Sequence, residues 1–140
     1  MNVFEGKGLL IRGLRFLAPR EAYDILVAGE AVLVDLREDY LVAVKRFSVP
    51  GLVYVPHRDL PDVFASLSKD LPLIVADSAG VYTKDAALFL QAHRYDQVAC
   101  LNGGMLAWDE AGMPVATDAS ALLHGDCACV MRPREPKPDR

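Results

Sequence analysis

The run AVLVDL at residues 31–36 and the run LPLIVA at residues 71–76 are apolar almost throughout, with no alternation of polar and apolar positions. A strand without that alternation is covered on both faces, which is the condition of a strand inside a parallel sheet flanked by helices. Such a sheet needs a crossover between successive strands, and the chain supplies helix-period segments between its apolar runs from residue 9 to residue 110. The fold class is therefore α/β. At 140 residues a single domain is expected, large enough for one core.

Around those two runs the remaining elements fall into order. Leu9 to Leu14 reads as a first strand. The segment APREAYDILVAG reads as a helix with Pro19 in its first turn, Ala22, Ile25 and Leu26 on its apolar face, and Gly29 at its end, but Ala18 cannot serve as a side-chain cap. REDYLVAVKRF is expected to be a short helix, Leu52 to Val55 a third strand, and PDVFASLSKD a helical piece through Val63, Phe64 and Leu67. A helix capped by Thr83 should run to about His93 with Ala86, Ala87, Leu90 and Ala92 inward and Asp85 in its first turn, where the dipole favours an anion. QVACL is the fifth strand, Asn102-Gly103-Gly104 a turn, and 105–110 a short helix whose Met105, Leu106 and Trp108 cover the core. The domain is expected over residues 1–115, followed by a tail over 116–140 with a C-x-C pair and a Pro-rich, charged end.

The order and spacing of these pieces resemble a single-domain rhodanese. The likeness is carried by Pro19 to Leu26, Leu33 to Glu38, Glu38 with Tyr40, Val49 to Gly51, Val55-Pro56, Leu71 to Tyr82, Ala86-Ala87 with Leu90, Leu101 to Trp108, and Glu110 to Pro114. The resemblance implies a five-stranded, mostly parallel sheet flanked by helices, with the functional loop after the fourth strand at the carboxyl edge, where open α/β sheets place their ligands. Active members of that family hold sulfane sulfur as a persulfide on a loop cysteine and close the loop with an arginine. Matched position by position, the cysteine falls on Asp77, the glycine on Gly80 and the arginine on Tyr82, within the loop Asp77, Ser78, Ala79, Gly80, Val81, Tyr82; the family's histidine falls on Ser48.

A carboxylate cannot carry a persulfide. It can accept hydrogen bonds from loop amides and so occupy an anion cradle as a built-in anion. An aspartyl-phosphate role would need Mg²⁺ and neighbouring acids, and the loop offers only Asp85, already explained by the helix dipole. The expectation is a rhodanese-like binding or regulatory module without sulfurtransferase activity in its loop, acting on a protein or small-thiol partner. Asp35 and Arg37 are expected to be a polar pair at a strand end that supports the loop.

The thiols leave a second possibility. Cys100 sits in an apolar strand and reads as packing. His124, Cys127 and Cys129 lie within six residues, and this spacing suits a persulfide or redox pair, three soft ligands for Zn²⁺ or Cu(I), or idle side chains. The alternative function is thus a sulfur carrier or sulfurtransferase using Cys127 or Cys129. His57 and His93 read as surface or helix-end residues. No cofactor is expected. The net charge of −4 gives no footprint for nucleic acid or an anionic membrane, no apolar stretch reaches membrane length, and the N-terminus lacks a secretory pattern. With three cysteines, an odd number, a cytoplasmic setting is expected.

Overall fold

The computed structural model describes residues 2–117. Strand β1 (Leu9–Ile11) folds back on β2 (Leu14–Leu17), followed by helix α1 (Pro19–Val27), β3 (Val32–Asp35), α2 (Asp39–Val44), β4 (Lys45–Phe47), β5 (Leu52–Tyr54) and α3 (Leu60–Val63). Then come β6 (Leu73–Ala76), α4 (Thr83–Ala92), β7 (Val98–Leu101), α5 (Gly104–Glu110) and β8 (Val115–Thr117). The main sheet has the order β1-β2-β7-β6-β3-β5. Its strands from β2 to β5 are mutually parallel, and only β1 is antiparallel, at the edge. Strands β4 and β8 form a separate antiparallel pair.

The unbroken apolar runs have a simple cause. Successive side chains of a strand point to opposite faces, so Leu33, Ile74 and Ala99 join one core layer while Val34, Val75 and Cys100 join the other. The first layer is closed by Ala22, Ile25 and Leu26 of α1 and by Met105 and Trp108 of α5. The second is closed by Leu60, Ala86, Ala87 and Leu90. Trp108 is fully buried, meets Phe47 edge-on at 5.2 Å between ring centroids, and donates its indole N–H to the Pro114 carbonyl at 2.7 Å. Burying the polar end of the indole this way also fixes the path of the chain into β8. Among the described residues no helix is long and apolar enough to cross a membrane.

Several local expectations are corrected. The first strand is two, because Arg12 and Gly13 both take positive φ (51° and 83°) and turn the chain in a two-residue hairpin. Ala18 offers no side-chain cap, and Glu21 fills the role from inside the helix: its carboxylate accepts the Ala18 N–H at 2.9 Å and the Gly8 N–H at 3.0 Å. Those backbone bonds hold the Glu21 carboxyl below its usual pKa. Residues 45–47, expected as the end of a helix, are β4, because pairing with β8 offers their backbone a ladder. Thr83 is the buried first residue of α4 and Tyr82 its N-cap. Ala92 and Leu106 face solvent.

Cys100 is fully buried under the start of α4, with its Sγ 3.7 Å from the Thr83 carbonyl. Burial, helped by the negative charge of Asp77, pushes its thiol up to about 11 against the weaker opposing effect of the Thr83 contact. The thiol is packing, as its strand suggested.

The α5 start is fitted to the loop after β6 at van der Waals limits. Met105 N–H donates to the Asp77 carbonyl at 2.8 Å and Leu106 N–H to the Ser78 carbonyl at 2.9 Å. Gly104 has φ of 61°, and a Cβ there would lie 2.4 Å from the Asp77 carbonyl oxygen. Gly104→Ala therefore combines left-handed strain with a backbone clash and is expected to lower unfolding free energy by about 2–4 kcal/mol in chemical denaturation. In the folded chain Cys100 is expected to stay unlabelled by a thiol reagent at pH 8 and to react only on denaturation, as read by peptide mapping.

Candidate functional site

Strand β6 carries Ala76 to the carboxyl edge of the sheet, where its carbonyl accepts the Leu36 N–H at 2.7 Å. The chain then turns at Asp77. One carboxylate oxygen, Oδ1, accepts the Gly80 N–H and the other, Oδ2, accepts the Tyr82 N–H, both at 2.5 Å. Gly80 makes this possible with φ of 90°, a conformation that a residue bearing Cβ rarely adopts. Asp77 is only 3% exposed, while Ser78, Ala79, Val81 and Tyr82 arch over it at the surface. The Tyr82 amide stands at the start of α4, so the carboxylate also faces the positive end of a helix dipole.

The neighbouring strand end holds the pair expected there. Asp35 Oδ1 accepts the Arg37 Nε at 3.0 Å and the Arg37 backbone N–H at 3.1 Å, and Oδ2 accepts Nη2 at 2.8 Å. Both side chains are buried, and Nη2 also donates to the Lys45 carbonyl at 2.9 Å. The two charges thus cancel each other. Arg37 ties the end of β3 to the start of β4, while its guanidinium lies 5.2 Å from the centre of the Phe47 ring.

A pocket of about 250 Å³ opens between the loop and α2. It is lined by the buried Asp77, by Glu38, Tyr40 and Leu41, and by His57, Val81 and Tyr82. His57 and Tyr82 are stacked at 3.7 Å between centroids with their planes 18° apart. Glu38 is paired with Arg58 at 2.6 Å. The lining is therefore aromatic and aliphatic above a buried carboxylate, and the guanidinium that borders it, Arg37, is already engaged by Asp35.

His57 is the site residue that sequence reading missed. The one local signal is its place just after the third strand, which puts it at the carboxyl edge; its ring partner Tyr82 is remote in sequence. His93 behaves as a helix-end residue: its Nδ1 lies 2.8 Å from the Phe89 carbonyl, on which it can only donate. Ser48 donates its backbone N–H to Pro114 and is not part of the pocket lining. His124, Cys127 and Cys129 lie outside the described residues. Among the described residues no group of three His, Cys, Asp or Glu side chains is placed to hold a metal ion.

Known proteins share this architecture. Residues 18–111 match the rhodanese-like domain family. The chain is 29% identical over 104 residues to the thiosulfate sulfurtransferase GlpE of Actinobacillus succinogenes, covering 72% of this chain and 89% of that protein. It is 36% identical over 103 residues to an HTH-type transcriptional regulator of Mycobacterium tuberculosis, covering 71% of this chain but 43% of the regulator. The crystal structure of a rhodanese-related protein from Thermoplasma volcanium superposes with a TM-score of 0.66 at 21% identity, over 74% of this chain and 99% of that one. With a parallel sheet, a loop at the end of β6 and a family match across two-thirds of its length, the chain belongs to the rhodanese-like domain family.

Proposed function

We propose that this rhodanese-like domain has no sulfurtransferase activity in its loop and works in the cytoplasm as a binding or regulatory module for a protein or small-thiol partner. The observation that carries this reading is the carboxylate of Asp77 bonded to the amides of Gly80 and Tyr82. Sulfur transfer needs a thiolate to attack the outer sulfur of thiosulfate, expel sulfite and hold a persulfide, which cyanide then attacks to give thiocyanate and restore the thiolate. Asp77, matched to the cysteine of the family, has no sulfur with which to form that bond. Its charge fills the position where loop amides would stabilise an anion, and it repels a second anion.

Tyr82, matched to the family's arginine, supports the same reading. A phenol donates one hydrogen bond and carries no charge, whereas a guanidinium binds an anion through a charged fork. Tyr82 instead lies flat against His57. A regulatory role has a parallel in the similarity to a protein named as a transcriptional regulator, of which this chain matches less than half, alongside relatives named as thiosulfate sulfurtransferases.

With thiosulfate and cyanide, the full-length chain is expected to release no thiocyanate above the protein-free background. Activity that disappears in Cys127→Ser or Cys129→Ser would instead establish the sulfur-carrier function. The double change Asp77→Cys with Tyr82→Arg restores a thiol to the amide cradle and a cation to its rim, and it is expected to raise thiocyanate formation at least about tenfold above background. A well-folded double variant with no activity would show that the loop does not keep a usable cradle.

A further inference from the structure

We propose that the pocket above Asp77 is a cation site, filled by a guanidinium from the chain's own C-terminal segment, Arg132 or Arg134. This rests on the reading of Asp77 as a built-in anion. The buried charges among the described residues are Asp35, Arg37 and Asp77. The first two neutralise each other at 2.8 Å, but no lysine, arginine or histidine among the described residues lies within ion-pair distance of Asp77. Two backbone amides satisfy one lone pair on each carboxylate oxygen, leaving acceptor capacity on both and a net negative charge. Buried charges are normally paired, since an isolated one forfeits its hydration.

The pocket suits the missing partner. Its walls of Tyr40, Leu41, His57, Val81 and Tyr82 offer apolar and aromatic surface leading down to Asp77. An arginine lays its aliphatic stem along such walls, stacks its planar head on aromatic rings and donates in a fork to a carboxylate. With Asp77 and Glu38 both in the lining, an anion finds repulsion instead.

The last described residue, Thr117, lies on this side. Strand β4 follows α2 from the carboxyl end of β3 and leads toward the start of β5, which runs parallel to β3, so β4 runs away from the carboxyl edge. Strand β8 is antiparallel to β4 and therefore runs toward that edge, ending with Thr117 opposite Lys45. The Lys45 carbonyl accepts the hydrogen bond of Arg37, which borders the pocket. From Thr117, Arg132 is fifteen residues further on, a stretch that spans up to about 50 Å when extended. The last stretch, MRPREPKPDR, has four cations and two acids, the sign that Asp77 calls for.

The test uses the full-length chain and its native tail thiols. Val81 is an exposed residue of the pocket lining, and Leu71 is an exposed residue just ahead of β6 at the opposite, amino edge. In oxidised glutathione, a thiol introduced by Val81→Cys displaces one glutathione to form a mixed disulfide, and Cys127 or Cys129 displaces the second to close a protein disulfide. Val81→Cys is expected to cross-link to the tail at least about tenfold faster than Leu71→Cys, and adding Arg132→Gln with Arg134→Gln should reduce the rate to the Leu71→Cys level. Equal rates from the two edges, or a rate indifferent to the arginines, would overturn the docking.

A second arm titrates N-acetylarginine amide, followed by NMR. It should bind the Arg132→Gln, Arg134→Gln chain at least about tenfold more tightly than the unaltered chain, and the uncharged isostere N-acetylcitrulline amide should bind neither. Equal affinity of the arginine probe for both chains overturns the tail as occupant, and equally tight citrulline binding overturns the cation site. Thiocyanate formation that requires the loop would sink the reading of Asp77, whereas failed cross-linking without thiocyanate sinks only the docking.

Discussion

A parallel sheet covered by helices on both faces leaves its strands no side for polar groups. In β3 and β6 every residue but the half-buried Val32 is buried, and the carboxylates appear where the strands run out, at Asp35 in the last position of β3 and Asp77 just past β6. The candidate site therefore lies at the carboxyl edge, where the sheet leaves room for polar groups. The same constraint decides how each charge is handled. Both carboxylates are buried, so each must be met by donors from its immediate surroundings.

The two answers differ in kind. Asp35 is met by a guanidinium that also holds β4, so its neutralisation strengthens the scaffold. Asp77 is met by amides of its own loop, a contact that shapes the loop while leaving a charge beneath the pocket. The tight seating of Gly104 against the loop backbone and the amides of Met105 and Leu106 hold that shape from behind. In a loop so braced, exchange of one side chain changes the chemistry without requiring a new backbone, so family membership alone does not fix the reaction.

The elements visible in the sequence were those whose cause is local. The runs around β3, β6 and β7 announce strands because burial on both faces leaves an unbroken apolar signature, and α1 shows its Pro19 start and apolar stripe. The β1–β2 hairpin was read as one strand because its turn places an arginine at positive φ, which residue type does not signal. The strand β4 was hidden inside a helical pattern, since only β8, far along the chain, makes extended backbone the better choice for Lys45 to Phe47. At the site, the loop and its acid were legible, as was the Asp35–Arg37 pair two residues apart. The stacking of His57 on Tyr82 was not, because two distant segments must be folded before their rings can meet.

By itself the sequence determined a parallel α/β domain of the rhodanese-like kind, the position of the loop after β6, and a carboxylate at the head of that loop. Those features follow from side-chain periodicity, turn-forming residues and motif order, which are properties of neighbours along the chain. Only the tertiary structure decided that the Asp77 carboxylate turns inward onto the Gly80 and Tyr82 amides, that His57 walls the pocket, and that β8 returns the chain to the carboxyl edge. Each of these depends on contacts between segments that become neighbours only when the sheet has closed, and no local pattern records the geometry of that closure.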